Sequence, residues 1–233
     1  MAFDYSPIFL SLKVAFAAVF IVVLLGIPVA GHMARRNFPG KDIVESLITL
    51  PLVLPPSVVG FLLLWLFGKN GPLGQLLDSL FGVSVVFNLA GAVIAAVVVS
   101  FPLMYQSSKA AMENVDRTLE NAARTLGAGE FKVFMTITLP LSWPGIVSGI
   151  ILAFARSLGE FGATLMIAGN IPGKTQTMSI AIYMANEAGD FNTALILVTI
   201  MTLFSFSVVF WLNRWSKKQQ KGMQQDEVGE KYA

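Results

Sequence analysis

Charged residues are absent from five long apolar stretches of the chain. These stretches cover residues 14–34, 46–68, 79–108, 133–155 and 191–213. The hydrocarbon layer of a bilayer is roughly 30 Å thick, and a helix needs about 20 apolar residues to cross it. Each run is long enough and lacks the ten-residue alternation of a membrane β-barrel. The pattern therefore predicts an all-α polytopic membrane protein with five transmembrane helices.

Turn residues refine these stretches into spans of a single transmembrane domain, residues 1–215. We expect the spans at about 14–34, 46–68, 85–107, 141–160 and 191–213, followed by a polar, frayed tail at 216–233. Five spans leave no room for a separate soluble domain, and a mean hydropathy of +0.70 agrees. Cysteine is absent, which excludes disulfide and thiol chemistry.

The basic residues predict the orientation of the chain. Twelve of the 16 Lys and Arg residues fall between spans 1 and 2, between spans 3 and 4, or in the tail. Because cytoplasmic loops are enriched in Lys and Arg, we expect the N-terminus outside and the C-terminus in the cytoplasm. Span 1 could be mistaken for a cleaved signal peptide. Its basic residues follow the apolar run, and Asp4 precedes it, so we expect a retained helix.

Span 2 contains three prolines, Pro51, Pro55 and Pro56, in LPLVLPPSVVG. Each removes a backbone donor and crowds the preceding turn, so the inner half of this helix should be kinked or opened. Broken helices at membrane depth line cavities or are buried in protein. Pro55, Pro56 and Ser57 are therefore candidates for a translocation pathway or gate. The alternative is a kink that only aids helix packing.

Arg156 and Glu160 are charges near the end of span 4. At a spacing of i, i+4 they can neutralise each other along one helix face, since an unpaired charge in the membrane is costly. The pair either locks helix packing or borders the pathway and helps to gate an oxyanion. Ser157 and Gly159 belong to the same candidate region. Gly145 and Gly149 form a GxxxG pattern that indicates close helix packing.

The external segments contain one misleading motif. Residues 69–78 are predicted to form a turn, and residues 161–190 an external segment with a loop and a short helix at 177–187. AGNIPGKT, residues 168–175, fits a loose P-loop pattern, but it lacks the preceding strand and is predicted to lie outside the cell. The lone histidine, His32, is interpreted as interfacial. No metal-site spacing or catalytic constellation is present.

The segment between spans 3 and 4, residues 106–140, has the pattern of two short helices joined by a glycine. Asp116 can cap the first helix, and Gly127 suits its left-handed C-terminus. Pro140 marks the expected start of span 4. The first helix would place Leu119, Ala122, Ala123 and Leu126 on one face, and the second Phe131, Phe134, Met135 and Thr138. Such a hairpin is either a docking surface for a soluble partner or an interfacial helix resting on lipid.

Residues 121–140, NAARTLGAGEFKVFMTITLP, resemble the EAA loop of permease subunits of binding-protein-dependent ABC importers. Six residues fall at the spacing of that motif: Ala122, Ala123, Gly127, Ile137, Leu139 and Pro140. The departure is Asn121 at the motif's Glu position, with Glu120 one place earlier. The resemblance implies an ATPase-coupling role for Glu120, Asn121, Ala122, Ala123, Arg124, Gly127, Ile137, Leu139 and Pro140.

Further segments, including 50–64, 70–74, 101–104 and 155–177, resemble the molybdate permease branch of this family. The resemblance implies the methionine-importer-like permease fold and a homodimer in a bacterial or archaeal cytoplasmic membrane. It also implies two cytoplasmic ATPase subunits that bind ATP-Mg, and an extracytoplasmic molybdate-binding protein. This chain itself would be a non-catalytic subunit, binding no cofactor, metal or nucleic acid.

Two other interpretations remain open. Tungstate matches molybdate in charge and nearly in size, and a sulfate-type oxyanion permease would have similar features. An ATP-independent secondary transporter would need acidic coupling-ion sites and often inverted repeats. Only Glu160 lies near membrane depth, and no repeat is visible.

Overall fold

The computed structural model describes residues 4–231, with side chains described up to Trp211 and at Arg214. This part of the chain is helical and contains no strand. In chain order the helices are α1 (Ser6–Arg35), α2 (Lys41–Val53), α3 (Pro56–Phe67), α4 (Pro72–Phe81), α5 (Leu89–Glu113), α6 (Arg117–Thr125), α7 (Glu130–Val133), α8 (Leu139–Leu158), α9 (Gly162–Ala168), α10 (Met178–Glu187) and α11 (Phe191–Lys231), with a π-helical turn at Phe134–Thr138.

Within the described residues, four helical segments are long and apolar enough to cross a membrane. They are α1, α5, the continuous helix from α7 through α8, and α11 up to Trp211. The bent pair α2–α3 is a fifth candidate. The predicted all-α polytopic fold is therefore confirmed, with four spans and the bent pair as the candidate for the fifth. The helix of the fourth span begins before Pro140, because α7, the π-helical turn and α8 form one rod from Glu130.

Helices α1, α5 and α8 pack against one another and form the centre of the fold. Small residues make the close packing possible. On α5, the face with a period of i, i+3, i+4, i+7 is buried and consists of Ala92, Ala95, Ala96 and Val99. Gly145 and Gly149 lie where α8 crosses α5: a Cβ on Gly145 would fall 2.4 Å from Cβ of Ala111. The close packing predicted from this GxxxG is confirmed.

Span 2 is broken at its prolines. The axes of α2 and α3 differ by 115°. Leu54 and Pro55, which join them, have extended backbone with ψ near 140°. The predicted opening of this span is confirmed, and helix formation also begins earlier than expected, at Lys41.

Two segments for which no helix was predicted are helical. Residues 72–81 form α4, which begins with Pro72 in its first turn and ends at Gly82 in the left-handed region (φ 62°). Residues 162–168 form α9, in which Ala163, Ile167 and Ala168 are fully buried against α3 and α5. This stretch therefore belongs to the core, while the predicted short helix at 177–187 is observed as α10. Helix α11 continues to Lys231 through the tail expected to be frayed.

Candidate functional site in the hairpin between α5 and α8

The hairpin (residues 116–138) begins at Asp116, which caps α6. Oδ1 of Asp116 accepts a hydrogen bond from the backbone N–H of Thr118 at 2.8 Å. This bond holds the pKa of the Asp116 carboxyl below its usual range. The predicted helix start is confirmed.

Gly127 forms the elbow of the hairpin. The N–H of Gly127 donates to the Arg124 carbonyl at 2.9 Å, and the N–H of Ala128 donates to the Ala123 carbonyl at 3.0 Å. This is the Schellman arrangement, which needs a left-handed residue, and Gly127 has φ 86°. The chain then turns into α7, so the predicted glycine elbow is confirmed.

One face of α6 is exposed and apolar. Leu126 is 89% exposed and Leu119 is 49% exposed, and Ala122 lies between them. Phe131, at the start of α7, is also exposed at 75%. An apolar surface on an otherwise charged hairpin can bury itself only against a partner or lipid.

The opposite face of α6 carries the buried carboxylate of Glu120, whose side chain is only 2% exposed. It accepts a hydrogen bond from the Thr138 hydroxyl at 2.5 Å. It also forms an ion pair with Nη2 of Arg35, at 2.6 Å. Nη2 of Arg124 lies 3.6 Å away. The carboxylate therefore bridges α1, α6 and the π-helical turn.

Asn121, by contrast, is exposed, and its side chain accepts from Arg124 at 2.9 Å. Arg124 also forms a two-pronged pair with Glu130, at 2.7 and 3.1 Å, which raises the pKa of the Arg124 guanidinium. The acid at position 120 is thus buried against the rest of the chain, whereas the amide at 121 lies on the exposed surface of the helix. Sequence reasoning left the orientation of this carboxylate open, because its partner Arg35 lies far away in the chain.

The hairpin joins α8 through the π-helical turn. The N–H of Leu139 donates to the carbonyl of Phe134, an i→i−5 bond. Pro140 follows directly and has no N–H for the usual bond, which explains the widened turn at this point. The turn buries Thr138, leaves Ile137 and Leu139 half-buried, and leaves Pro140 exposed.

A cavity of about 720 Å³ lies between the hairpin and the end of α1. Its walls include Arg35, Arg36, Glu120, Arg124 and Glu130. His32 also lines this cavity and lies 6.4 Å, between ring centroids, from Phe38. Among the residues described, no group of three or more His, Cys, Asp or Glu side chains is arranged to hold a metal ion.

The second candidate region lies where α8 ends. Nη1 of Arg156 contacts Oε2 of Glu160 at 2.6 Å, so the predicted pair is confirmed. The other oxygen of Glu160 accepts from the backbone N–H of Ala163 at 2.7 Å and so caps α9. Sequence reasoning missed this second contact because it did not foresee α9. Ser157 is buried and Gly159 is exposed.

The break in span 2 approaches the same region. A Cβ on Gly162 would lie 2.9 Å from Cβ of Pro56 and 3.5 Å from the backbone N of Ser57. The start of α3 therefore meets the start of α9, two residues beyond Glu160. Pro55, Pro56 and Ser57 are exposed at this corner.

The P-loop-like loop is closed on itself. The backbone N–H groups of Lys174, Thr175 and Gln176 all donate to the carbonyl of Ile171, at 3.0, 2.9 and 3.2 Å. The Thr175 hydroxyl is buried and accepts from the N–H of Ile171 at 3.1 Å. A phosphate cradle needs these amides free, so the geometry is not that of a nucleotide site.

These features define a class: a multi-pass helical membrane protein with a broken helix and a capped, projecting hairpin. Comparison with protein families then gives the particular group. The chain matches the binding-protein-dependent transport system inner membrane component family over residues 7–221, and it belongs to that family.

Molybdenum transport permeases align with almost the whole chain. A molybdenum transport system permease protein ModB of Escherichia coli (strain K12) is 46% identical over 93% of this chain and 96% of its own length. ModB of Haemophilus influenzae is 45% identical over 97% of this chain and 100% of its own length. The resemblance noted in the sequence is confirmed.

Solved structures share the fold at low identity. A methionine ABC transporter, MetNI, in an inward-facing form has a TM-score of 0.68 at 15% identity, covering 91% of this chain and 94% of its own. A bacterial ABC transporter for alginate import also gives 0.68 at 16% identity, covering 93% of this chain and 81% of its own. The methionine-importer-like fold is confirmed.

Proposed function

We infer that this chain is the membrane-spanning permease subunit of an ATP-driven importer that carries molybdate into the cell by alternating access. The observation that carries this proposal is the 45–46% identity to molybdenum transport permeases over nearly the full length of both chains. Similarity of that extent covers the spans, the broken helix and the hairpin together, so it favours a common substrate class as well as a common fold.

Energy enters through a partner. The exposed face of α6, with Leu126 at 89% exposure, is the docking surface for a cytoplasmic ATPase subunit, which binds ATP-Mg. Two permease chains and two ATPase subunits make the complex, and an extracytoplasmic protein delivers the anion. If α6 instead rests on lipid, the ATPase will not co-purify with this chain.

The pathway runs beside the α2–α3 corner and the Arg156–Glu160 pair. Because Glu160 neutralises Arg156 at 2.6 Å, the passage holds no strong fixed positive charge there. A doubly charged anion would dissociate slowly from a permanent arginine cluster. The pathway does not need such a cluster, because the binding protein binds the anion first. The alternative is that the pair only locks α8 and α9 together, which its cap on Ala163 also supports.

The test is uptake of labelled molybdate by proteoliposomes that contain this chain together with its ATPase and its binding protein. We expect uptake that requires ATP hydrolysis and the binding protein. Tungstate should compete and excess sulfate should not. Uptake driven by an ion gradient without the ATPase would instead identify a secondary transporter.

Sulfate is the second candidate substrate. A chain assigned to sulfate transport in Chlorokybus atmophyticus is 35% identical over 89% of this chain and 72% of its own length. The lower identity favours molybdate. Preferential uptake of labelled sulfate in the same vesicles would reverse that order.

A further inference from the structure

We propose that Glu120 is a positioning residue: together with Arg35 and Thr138 it forms a joint that transmits movement of the hairpin to helix α1. This inference deepens the proposed function and rests on it. It assigns the carboxylate beside the EAA-like motif to a contact within the chain rather than to a contact with the ATPase.

The first argument is the direction of the side chain. Glu120 is 2% exposed, whereas Asn121, Ala122 and Leu126 on the neighbouring face are exposed. A partner that covers that face cannot reach the carboxylate without unfolding α6. Glu120 is therefore turned away from the surface through which the ATPase would act.

The second argument is what the carboxylate holds together. Helix α6 packs mainly on α7 and the π-helical turn, and few of its Cα atoms approach α1. The link to α1 is instead made by side chains, since Nη2 of Arg35 reaches Glu120 at 2.6 Å and the Val115 carbonyl at 3.4 Å. Thr138 ties the same carboxylate to the turn that leads into α8.

A second contact lies beside this joint. Phe134 of the π-helical turn packs on Gly31 of α1, where an added Cβ would lie 2.6 Å from Cε2 of the ring. The hairpin thus has both an ionic and an apolar contact with α1. A displacement of the hairpin has to move the end of α1 or break a buried charge pair, and the second alternative is costly.

The test compares coupling with assembly in the reconstituted complex of this chain, its ATPase and its binding protein. Glu120→Gln removes the charge and keeps the size of the side chain. We expect the ATPase to co-purify in the normal amount, while anion uptake per ATP hydrolysed falls roughly five- to tenfold, within the range usual for coupling between sites. Loss of a merely structural contact would lower the yield of complex and leave this ratio unchanged.

Two further variants make the result decisive. The double variant Arg35→Gln/Glu120→Gln removes both charges, so neither is left buried without its partner. It should fold, bind the ATPase and still show low anion uptake per ATP hydrolysed. Glu113→Gln makes the same charge change just before the hairpin, on an exposed carboxylate whose ion pair is with Lys109 of its own helix, at 3.5 Å, and should keep the normal ratio.

Three outcomes would overturn the joint. Uptake per ATP could be normal in both the Glu120 variant and the double variant. The ratio could fall equally in the Glu113 control. Alternatively, the ATPase could fail to co-purify with Glu120→Gln alone, which would make Glu120 a docking contact. If the unaltered chain binds no ATPase at all, the proposed function fails rather than the joint.

Discussion

Gly127 determines the direction in which the hairpin turns. Its φ of 86° lies in the left-handed region, which a β-branched residue enters only at a high cost. No heavy atom lies within 4 Å of a Cβ built on it, so backbone conformation is the constraint there, not space. A Cβ on Gly129 would also have no heavy atom within 4 Å. Unlike Gly127, however, Gly129 has a φ of −72°, which any residue can adopt.

We therefore expect Gly127→Val to uncouple transport. The elbow would reopen, α6 would lose its orientation, and ATPase co-purification or stimulated ATP turnover should fall at least severalfold. Gly129→Val is the matched control in the same hairpin and should behave like the unaltered chain. Equal ATPase binding and turnover in the two variants would contradict a docking role for the elbow.

A second prediction at this scale concerns Glu160. Glu160→Ala strands the Arg156 charge and leaves the N–H of Ala163 without its acceptor. Glu160 is buried but Arg156 is only half-buried. Removing the acceptor of such groups costs about 1–3 kcal/mol, so the melting temperature of the purified protein should fall by a few degrees. Glu187→Ala, an exposed carboxylate on α10, should leave it unchanged. A melting temperature unaffected in both would show that the pair contributes nothing to stability.

At the scale of helices, the fold depends on glycines where short helices cross. Gly60 on α3 faces α9 so closely that a Cβ there would lie 2.8 Å from the Cα of Ala163. This backbone-to-backbone approach holds α3, the second half of the broken span, against the core. It also brings α3 to the segment that Glu160 caps.

We expect Gly60→Leu to separate α3 from α9 and to destabilise the protein by about 2–3 kcal/mol, as overpacked cores do. Val58→Leu adds bulk on an exposed position of the same helix and should have little effect. Thermal unfolding of the two variants in one detergent measures the difference. Equal stability would mean that the α3–α9 contact is loose.

These helices also show what the sequence can and cannot predict. Charge-free runs locate the long spans, because only apolar residues tolerate lipid over that length. The capped hairpin is predictable because its signals, Asp116 and Gly127, are local. Helix α9 was missed because seven residues give too short a pattern and its burial depends on Gly60, about a hundred positions away. The orientation of Glu120 depends in the same way on Arg35.

At the scale of the whole molecule, the proposed mechanism requires the hairpin and the loop at residues 169–177 to lie on opposite sides of the bilayer. The chain has no cysteine, so a single introduced cysteine reports its own location. Leu126 and Lys174 are both exposed and suit this purpose.

In right-side-out vesicles, we expect a membrane-impermeant maleimide to label Lys174→Cys at once. Leu126→Cys should react only after the membrane is permeabilised, because positive residues retain the hairpin inside. The unaltered, cysteine-free chain gives the background. Labelling of Leu126→Cys from outside would invert the orientation and remove the ATPase from its docking surface.

The corner between α2 and α3 has one further consequence. Because Pro55 and Pro56 have no N–H, the carbonyls of Pro51 and Leu52 lack the donors that a continuous helix would supply. An unsatisfied carbonyl in hydrocarbon costs several kcal/mol. The two oxygens therefore need a donor from outside their own helix, either water or another polar group of the protein. If water supplies it, the backbone amides beside this bend should exchange with heavy water far faster than those of the flanking helices.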